Sequence, residues 1–480
     1  MFIGRERELE FLENQFNSPK GRLIFLYGRR RLGKTETLRQ FCKQKKHIYF
    51  SCSATTDDKQ LNAFSTKLLK EIDPVLSPFL DWTQALSSIS ELPYGNKKKL
   101  VIFDEFQNMF SANKEIPSIL QNLWDHYLKD QNVMLVFCSS AISYTENDVL
   151  AANNPLYGRA TGIYKMNELS FYETIKFFPN YSPEDQVLVY SILGGIPHYL
   201  IQFDNNLSLE ENIKRNILSK GCVLYSEVEF ILRQELREPG VYNTIIQTIA
   251  LGSNNLSEIS QKSLINNTSK TSTYLSNLIN LGIIQKEFSV DSKTKEQSNN
   301  NKGMYSLTDN FFRFWYAFGF TNFSDLEDGL IDDVYNYSIK PSLHNYASVA
   351  FENICKQFVK KLRATNKLPF RYKDMGRWLG QTTIRDNNNP SKTRTAETEI
   401  DILAISDNKK QYLVGECKFK NKPFQYSEYL TTISKLSPKK NNAEFFYALF
   451  SLSGFDERII EISKEDDHLT LYDINAIVNC

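Results

Sequence analysis

Gly28-Arg29-Arg30-Arg31-Leu32-Gly33-Lys34-Thr35 fits the spacing G-x-x-x-x-G-K-[ST] at every fixed position. The apolar run Leu23-Ile24-Phe25-Leu26-Tyr27 precedes it and Glu36-Thr37-Leu38-Arg39-Gln40-Phe41 follows, so the order is strand, glycine-bounded loop, helix. A phosphate chain is held by successive backbone N–H groups at the positive end of a helix, and side chains at the glycines would block its approach. Gly28 and Gly33 meet that need, and Arg29, Arg30, Arg31 and Leu32 lie between them. Lys34 is then expected to reach the β- and γ-phosphates as a point charge, and the Thr35 hydroxyl to ligate Mg2+. The competing reading, a plain glycine turn, would set a basic helix start against the helix dipole.

Working outward, the 480 residues are too many for one ordinary core, and about 150 residues per domain suggests about three. Lys and Arg number 57 and Asp and Glu 56, so no global field draws the chain to nucleic acid or to an anionic membrane. Any nucleic-acid contact must come from a local patch. Met1-Phe2-Ile3-Gly4-Arg5-Glu6-Arg7 lacks a signal-peptide core, and no apolar run of about 18 residues occurs, so the expectation is a soluble, cytoplasmic protein without a membrane partner. The 7 cysteines show no C-x-x-C spacing, which argues against a disulfide framework or a zinc site.

Residues 5–16 have helical spacing and end at the turn cluster Asn17-Ser18-Pro19-Lys20-Gly21. His47-Ile48-Tyr49-Phe50-Ser51-Cys52 reads as a second strand, followed by a long helical stretch, and this alternation predicts a parallel sheet with helices on its faces. Lys99-Leu100-Val101-Ile102-Phe103-Asp104-Glu105 is an apolar strand ending on two carboxylates. Ligands of open α/β sheets sit beyond such strand ends, so Asp104 is placed to hold Mg2+ beside Thr35 and Glu105 to orient or deprotonate the attacking water. Val133 to Ser140 is another buried strand ending in hydroxyls, where Ser139 or Ser140 could sense the γ-phosphate. Arg159, in the turn Asn154-Pro155-Leu156-Tyr157-Gly158-Arg159, could neutralise transition-state charge in cis or in a neighbouring subunit of an oligomer, or could be an ordinary surface arginine.

Phe2-Ile3-Gly4-Arg5-Glu6, the Gly28–Thr35 loop, Phe103-Asp104-Glu105, Leu156-Tyr157-Gly158-Arg159 and Gly194-Gly195-Ile196-Pro197 together resemble the archaeal-type ATPases, a branch of the AAA+/STAND P-loop NTPases. The resemblance covers about residues 1 to 235 and implies ATP hydrolysis with Mg2+. It also implies a helical lid in which Gly195 and Pro197 contact the nucleotide.

Residues 241–251, 257–264 and 270–281 form three short helical patterns, followed by the strands Ile283–Phe288 and Met304–Leu307 around a polar loop. Three helices and a hairpin predict a winged helix-turn-helix. In a major groove, its third helix would turn Lys270, Thr271, Thr273 and Tyr274 to DNA, with Lys293 and Lys295 in the wing. That helix holds one lysine and no arginine, so a structural arm competes with DNA reading. The dense aromatic stretch Asn310–Phe318 lacks interleaved basic residues and is expected to be buried packing.

From about residue 340 a second α/β pattern begins. Glu399–Ser406 and Gln411–Phe419 read as a hairpin about Asp407-Asn408-Lys409-Lys410. A register symmetric about that turn puts Asp401 opposite Glu416 and Glu399 opposite Lys418. Opposed acids repel and call for a cation or a shared proton, while Lys418 shares a face with Glu416. The arrangement is similar to the PD-(D/E)XK nuclease core. That resemblance implies Asp401 and Glu416 as ligands of a divalent metal, Lys418 as the catalytic lysine and Glu352 as the acid on the preceding helix. A solvated charged hairpin is the competing reading.

The fold class expected is thus α/β: a P-loop NTPase core (1–168), a helical lid (169–237), a winged helix-turn-helix (238–320) and a restriction-endonuclease-like domain (340–480). The function expected is an ATP-hydrolysing, Mg2+-requiring switch coupled to a nuclease-like domain, with DNA as a possible partner. The alternative is a nucleotide-gated regulator or scaffold whose C-terminal domain does not cut.

Overall fold

The computed structural model describes residues 2–292, 303–386, 389–436 and 443–480. The chain divides into two compact units, residues 1–169 with 196–198, and residues 170–195 with 199–480. Among the described residues no helix is long and apolar enough to cross a membrane.

The first unit is built on a parallel sheet of β1 (Arg22–Tyr27), β2 (His47–Ser51), β3 (Lys99–Asp104), β4 (Val133–Ser139) and β5 (Gly162–Lys165), in the spatial order β2-β3-β4-β1-β5. Strands β1, β3 and β4 are almost wholly buried, as continuous apolar runs sandwiched between helices must be. Phe137 lies between Phe25, at a ring-centroid distance of 5.5 Å, and Phe103, at 4.9 Å. The register pairs Tyr27 with Ser139 and Ser51 with Asp104, which levels the C-terminal strand ends. The phosphate loop, Asp104 and Ser139 therefore emerge along one edge. Strand β5 has alternating exposure, so its sequence carries no apolar run.

The second unit holds the helices Pro239–Ala250, Leu256–Lys262 and Thr268–Asn280 and the antiparallel pair β6 (Ile284–Glu287) and β7 (Met304–Leu307). The third of those helices does not present the face expected for DNA. Thr271 and Tyr274 are buried, because they fall on the apolar stripe with Leu275 and Leu278. The Thr271 hydroxyl bonds Ser260 and the Asn267 carbonyl, and the Tyr274 hydroxyl donates to Glu238 at 2.5 Å. Lys270 and Thr273 remain exposed; Lys293 and Lys295 lie outside the described residues. The aromatic stretch is core: Phe311, Phe312 and Phe314 are inaccessible, and Arg313 and Phe314 pack on Tyr346 of the long helix Lys340–Ala364.

That helix leads into a mixed sheet of β8 (Tyr372–Asp386), β9 (Asn389–Ser406), β10 (Gln411–Lys418), β11 (Glu444–Ser451) and β12 (Leu469–Asp473), in the order β12-β11-β10-β9-β8. Strands β8, β9 and β10 are antiparallel neighbours, and β10, β11 and β12 run parallel. The β9–β10 register, Tyr412 with Ile405 through Gly415 with Ile402, is the one symmetric about the polar turn. The pairs end there, and the next residues along the two strands are Asp401 and Glu416.

Phe137→Ala should leave a cavity among the rings of Phe25, Phe103, Phe106 and Phe110 and lower the stability of the first unit by about 3–5 kcal/mol, read as an earlier urea transition. Val75→Ala, at a side chain 89% exposed, should change it by less than about 0.5 kcal/mol.

Candidate functional site

Gly33, at φ 80°, forms the left-handed turn into the helix Lys34–Cys42. A Cβ on Gly28 would come within 2.4 Å of the Met166 carbonyl oxygen, so this position admits only glycine. Lys34 Nζ donates to the carbonyls of Gly28 at 2.8 Å and Arg29 at 2.9 Å, and burial lowers its pKa. The loop is braced from behind by Arg5, a buried residue whose brace the sequence did not disclose. Its guanidinium donates to Leu32 O at 2.9 Å, Asn167 O at 2.7 Å and Glu8 Oε1 at 2.9 Å. Pro197 stands beside the loop, its Cγ 3.9 Å from where a Cβ on Gly33 would lie. His198 follows, its pKa held below the usual value by burial and then by Arg31.

Asp104 Oδ2 accepts from Thr35 Oγ1 at 3.0 Å and from the Tyr49 hydroxyl at 2.5 Å. Tyr49 is a further residue that sequence reasoning passed over, since nothing local marks a strand tyrosine as facing this carboxylate. Glu105 sits at φ 54°, a left-handed conformation unusual for glutamate, and its carboxylate accepts from Gln107 and from Ser140 Oγ at 2.9 Å. Ser139 lies one step further back: its hydroxyl donates to Gln107 Oε1 at 2.8 Å and accepts from the Ala141 N–H at 3.0 Å. Arg159 grips Asp125 through Nε and Nη2, at 2.9 and 2.7 Å, and donates to the Pro155 carbonyl. None of its hydrogen bonds among the described residues reaches Thr35, Asp104 or Tyr49.

In the second unit, Glu352, Glu399, Asp401, Glu416, Lys418 and Lys435 line one cleft of about 940 Å3. The Cys417 N–H donates to Asp401 Oδ2 at 2.8 Å. Glu416 is held at both oxygens, by Lys418 at 2.8 Å and by Lys435 at 2.7 Å. Glu352 pairs with Arg377, whose other nitrogen lies 3.5 Å from Glu399. Glu397 and Lys420 line the same cleft, so five carboxylates and three lysines face it, with Arg377 bound to Glu352 behind them. Burial, then the charges of Glu416 and Glu352, push the Asp401 carboxyl up to about 7. Burial pulls the Lys418 ammonium down, but Glu416, together with Asp401 and Glu428, raises its pKa above the ordinary value. Lys435 and Arg377 were not legible from spacing, because they arrive from a helix end and from the neighbouring strand. Among the described residues no three His, Cys, Asp or Glu side chains are grouped to hold a metal unaided.

Residues 2–203 match an ATPase domain found predominantly in Archaea, and residues 315–431 match archaeal and bacterial proteins of unknown function. Over 421 residues, 88% of each chain, the sequence is 31% identical to an uncharacterized protein of Methanocaldococcus jannaschii. A 46-residue stretch, 10% of this chain and 78% of the other, is 54% identical to an uncharacterized ATP-binding protein of the same organism. Among solved structures, the Walker-type ATPase of Pyrococcus abyssi aligns with a TM-score of 0.49 and 19% identity over 66% of this chain and 96% of that one. The chain belongs to the archaeal-type ATPases, ATP-binding P-loop proteins, and carries behind its ATPase domain a region shared with archaeal and bacterial proteins of unknown function.

Proposed function

We propose that this protein is a Mg2+-dependent ATP-hydrolysing switch of the AAA+/STAND type coupled to a nuclease-like C-terminal domain. The observation that carries the ATPase half is the Thr35–Asp104 contact beside the lysine-bearing loop. A hydroxyl and a carboxylate at 3.0 Å suit Mg2+, which is held by few protein oxygens and keeps water or phosphate oxygens for the rest. Thr35 and Asp104 would hold the ion, whose charge would offset that of the β- and γ-phosphates. Lys34 exchanges the Gly28 and Arg29 carbonyls for phosphate oxygens. Glu105, fixed by Gln107 and Ser140, orients water as general base, and Ser139 acts through Gln107. Arg159 serves chemistry only on release from Asp125.

The core, lid, winged-helix and nuclease-like segments follow the boundaries 1–168, 169–237, 238–320 and 340–480. With Thr271 and Tyr274 buried, we read the winged helix as a structural arm. The nuclease-like reading of the last segment is supported by its helix, three antiparallel strands and parallel fourth strand, with Glu352, Asp401, Glu416 and Lys418 around one cleft. Asp401 and Glu416 would hold a divalent ion there, and Lys418 would position water. One observation favours the second reading, a nucleotide-gated regulator that does not cut: both oxygens of Glu416 already carry an ammonium. Cleavage of DNA with and without ATP and Mn2+ decides between them.

Lys34→Ala should abolish detectable ATP binding, whereas Glu105→Gln should bind ATP and lose about 10²- to 10⁴-fold in turnover, measured as phosphate release. Equal turnover in Glu105→Gln and the parent would remove Glu105 from the role of base.

A pH test addresses the second centre. Asp401 ionises near 7 in the folded chain against an ordinary value of 3.8, so its charge costs stability that is absent below about pH 3.8 and complete above about pH 7. Asp401→Asn should therefore raise the melting temperature at pH 8, by up to about 4 kcal/mol of stability, and leave it nearly unchanged at pH 4. Glu416→Gln should lower it at pH 8, because two lysines lose their partner. Millimolar Mn2+ should stabilise the parent at pH 8 and not Asp401→Asn; indifference of the parent would rule out a metal there.

A further inference from the structure

The helix Lys340–Ala364 carries Glu352 into the acidic cleft, and its other end opens on a separate cleft of about 850 Å3. Lys360, Arg363, Arg371 and Lys373 line this second cleft against a single carboxylate, Asp374. A local excess of three positive charges stands out in a chain whose net charge is +1. Lys373 is paired with Asp407 at 3.0 Å, but Lys360 and Arg371 have no ion pair or hydrogen bond among the described residues. The Arg363 guanidinium carbon stands over the buried Tyr372 ring, 4.4 Å from its centroid, which holds the group at the cleft wall.

Cations at a helix C-terminus often do no more than complement the helix dipole. That explanation covers Lys360 and Arg363 but not Arg371 and Lys373, which follow the helix, and the dipole effect ends within the last turn. The terminal carbonyls are also already satisfied, by Thr365 N to Lys361 O, Asn366 N to Arg363 O and Lys367 N to Leu362 O, at 3.1, 3.2 and 2.9 Å. Aromatic surface accompanies the charge. Phe370, half-buried in the lining, has its ring 5.7 Å from Phe446, which stacks on His468 at 4.7 Å.

We propose that this cleft binds a single-stranded nucleic-acid segment, its phosphates on Lys360, Arg363 and Arg371 and a base against Phe370. Cations beside an aromatic face are the combination single strands require, and a cleft of about 850 Å3 admits one or two nucleotides rather than the width of a duplex. The helix rises about 1.5 Å per residue, so Lys360 stands about 12 Å along it from Glu352. A strand leaving the basic cleft along the helix reaches the acidic one within a few nucleotides. The proposal deepens the nuclease-like reading by naming its substrate class, but binding at the basic cleft does not require cutting.

The test uses the full chain without nucleotide, in EDTA, with a short fluorescein-labelled oligothymidine read by anisotropy across salt concentrations. No cleavage is read, so a C-terminal centre that does not cut leaves the outcome untouched. Lys360→Ala with Arg371→Ala removes two exposed side chains and should leave the melting temperature unchanged. It should weaken binding about tenfold and flatten the slope of log affinity against log salt by about 1.4, or about 0.7 for each lost phosphate contact. Phe370→Ala should weaken binding at every salt concentration without changing the slope. Parent and double variant with equal affinity and slope, or no binding by the parent at low salt, would overturn the proposal. Tighter binding of a duplex of the same sequence would overturn the single-stranded occupant.

Discussion

The parallel register of β1, β3 and β4 is the constraint on which the nucleotide site rests. Tyr27 pairs with Ser139 and Phe103 with Phe137, so the strand ends carrying the phosphate loop and Asp104 stop at the same level. A slip of one residue would turn every side chain to the opposite face and carry Asp104 away from Thr35. The stack of Phe25, Phe137 and Phe103 holds the register from one face, and helix and loop residues then make the finer adjustments. Arg5 fixes the Leu32 carbonyl, Tyr49 orients Asp104, and Gln107 and Ser140 hold Glu105 in its left-handed conformation.

The second unit solves a different problem, the burial of opposed acids. Two carboxylates at adjacent strand positions cannot both ionise in a low-dielectric site without compensation. Glu416 is compensated by two ammonium groups, whereas Asp401 has one backbone N–H and keeps its proton up to about pH 7. The two acids are thus electrostatically unequal, although they occupy equivalent places in the hairpin. A ligand that brings positive charge would relieve Asp401 more than Glu416.

What could be read in the sequence was what depends on local spacing. The glycine-bounded loop, the apolar strand and the hairpin register about residues 407–410 are all properties of contiguous segments, and the structure has them, except that the strand ends at Asp104 and Glu105 already lies in the turn. Arg5, Tyr49 and Lys435 are brought to their sites by tertiary packing, over sequence separations that no local pattern encodes. Thr271 and Tyr274 show the converse error. Their polar atoms suggested an outward face, but their positions with Leu275 and Leu278 put them on the inner stripe, and partners there satisfy their hydroxyls. Strand β11 has an apolar run, Phe445 to Phe450, that could have been recognised; β8, interrupted by Gly376 and Gly380, carries no such signal.

Both centres keep their lysines occupied by the protein itself. Lys34 rests on two loop carbonyls and Lys418 and Lys435 on one carboxylate, so in neither place does an ammonium stand buried without a partner. The consequence differs between them. A carbonyl is a neutral acceptor, and phosphate oxygens replace it with a stronger, charge-assisted contact, so the loop is preorganised for anion entry. A carboxylate bound to two ammonium groups would give up full ion pairs to any further cation, a cost that the carbonyls of the loop do not impose. The same residue type is therefore held by neutral, displaceable acceptors in the first centre and by full ion pairs in the second.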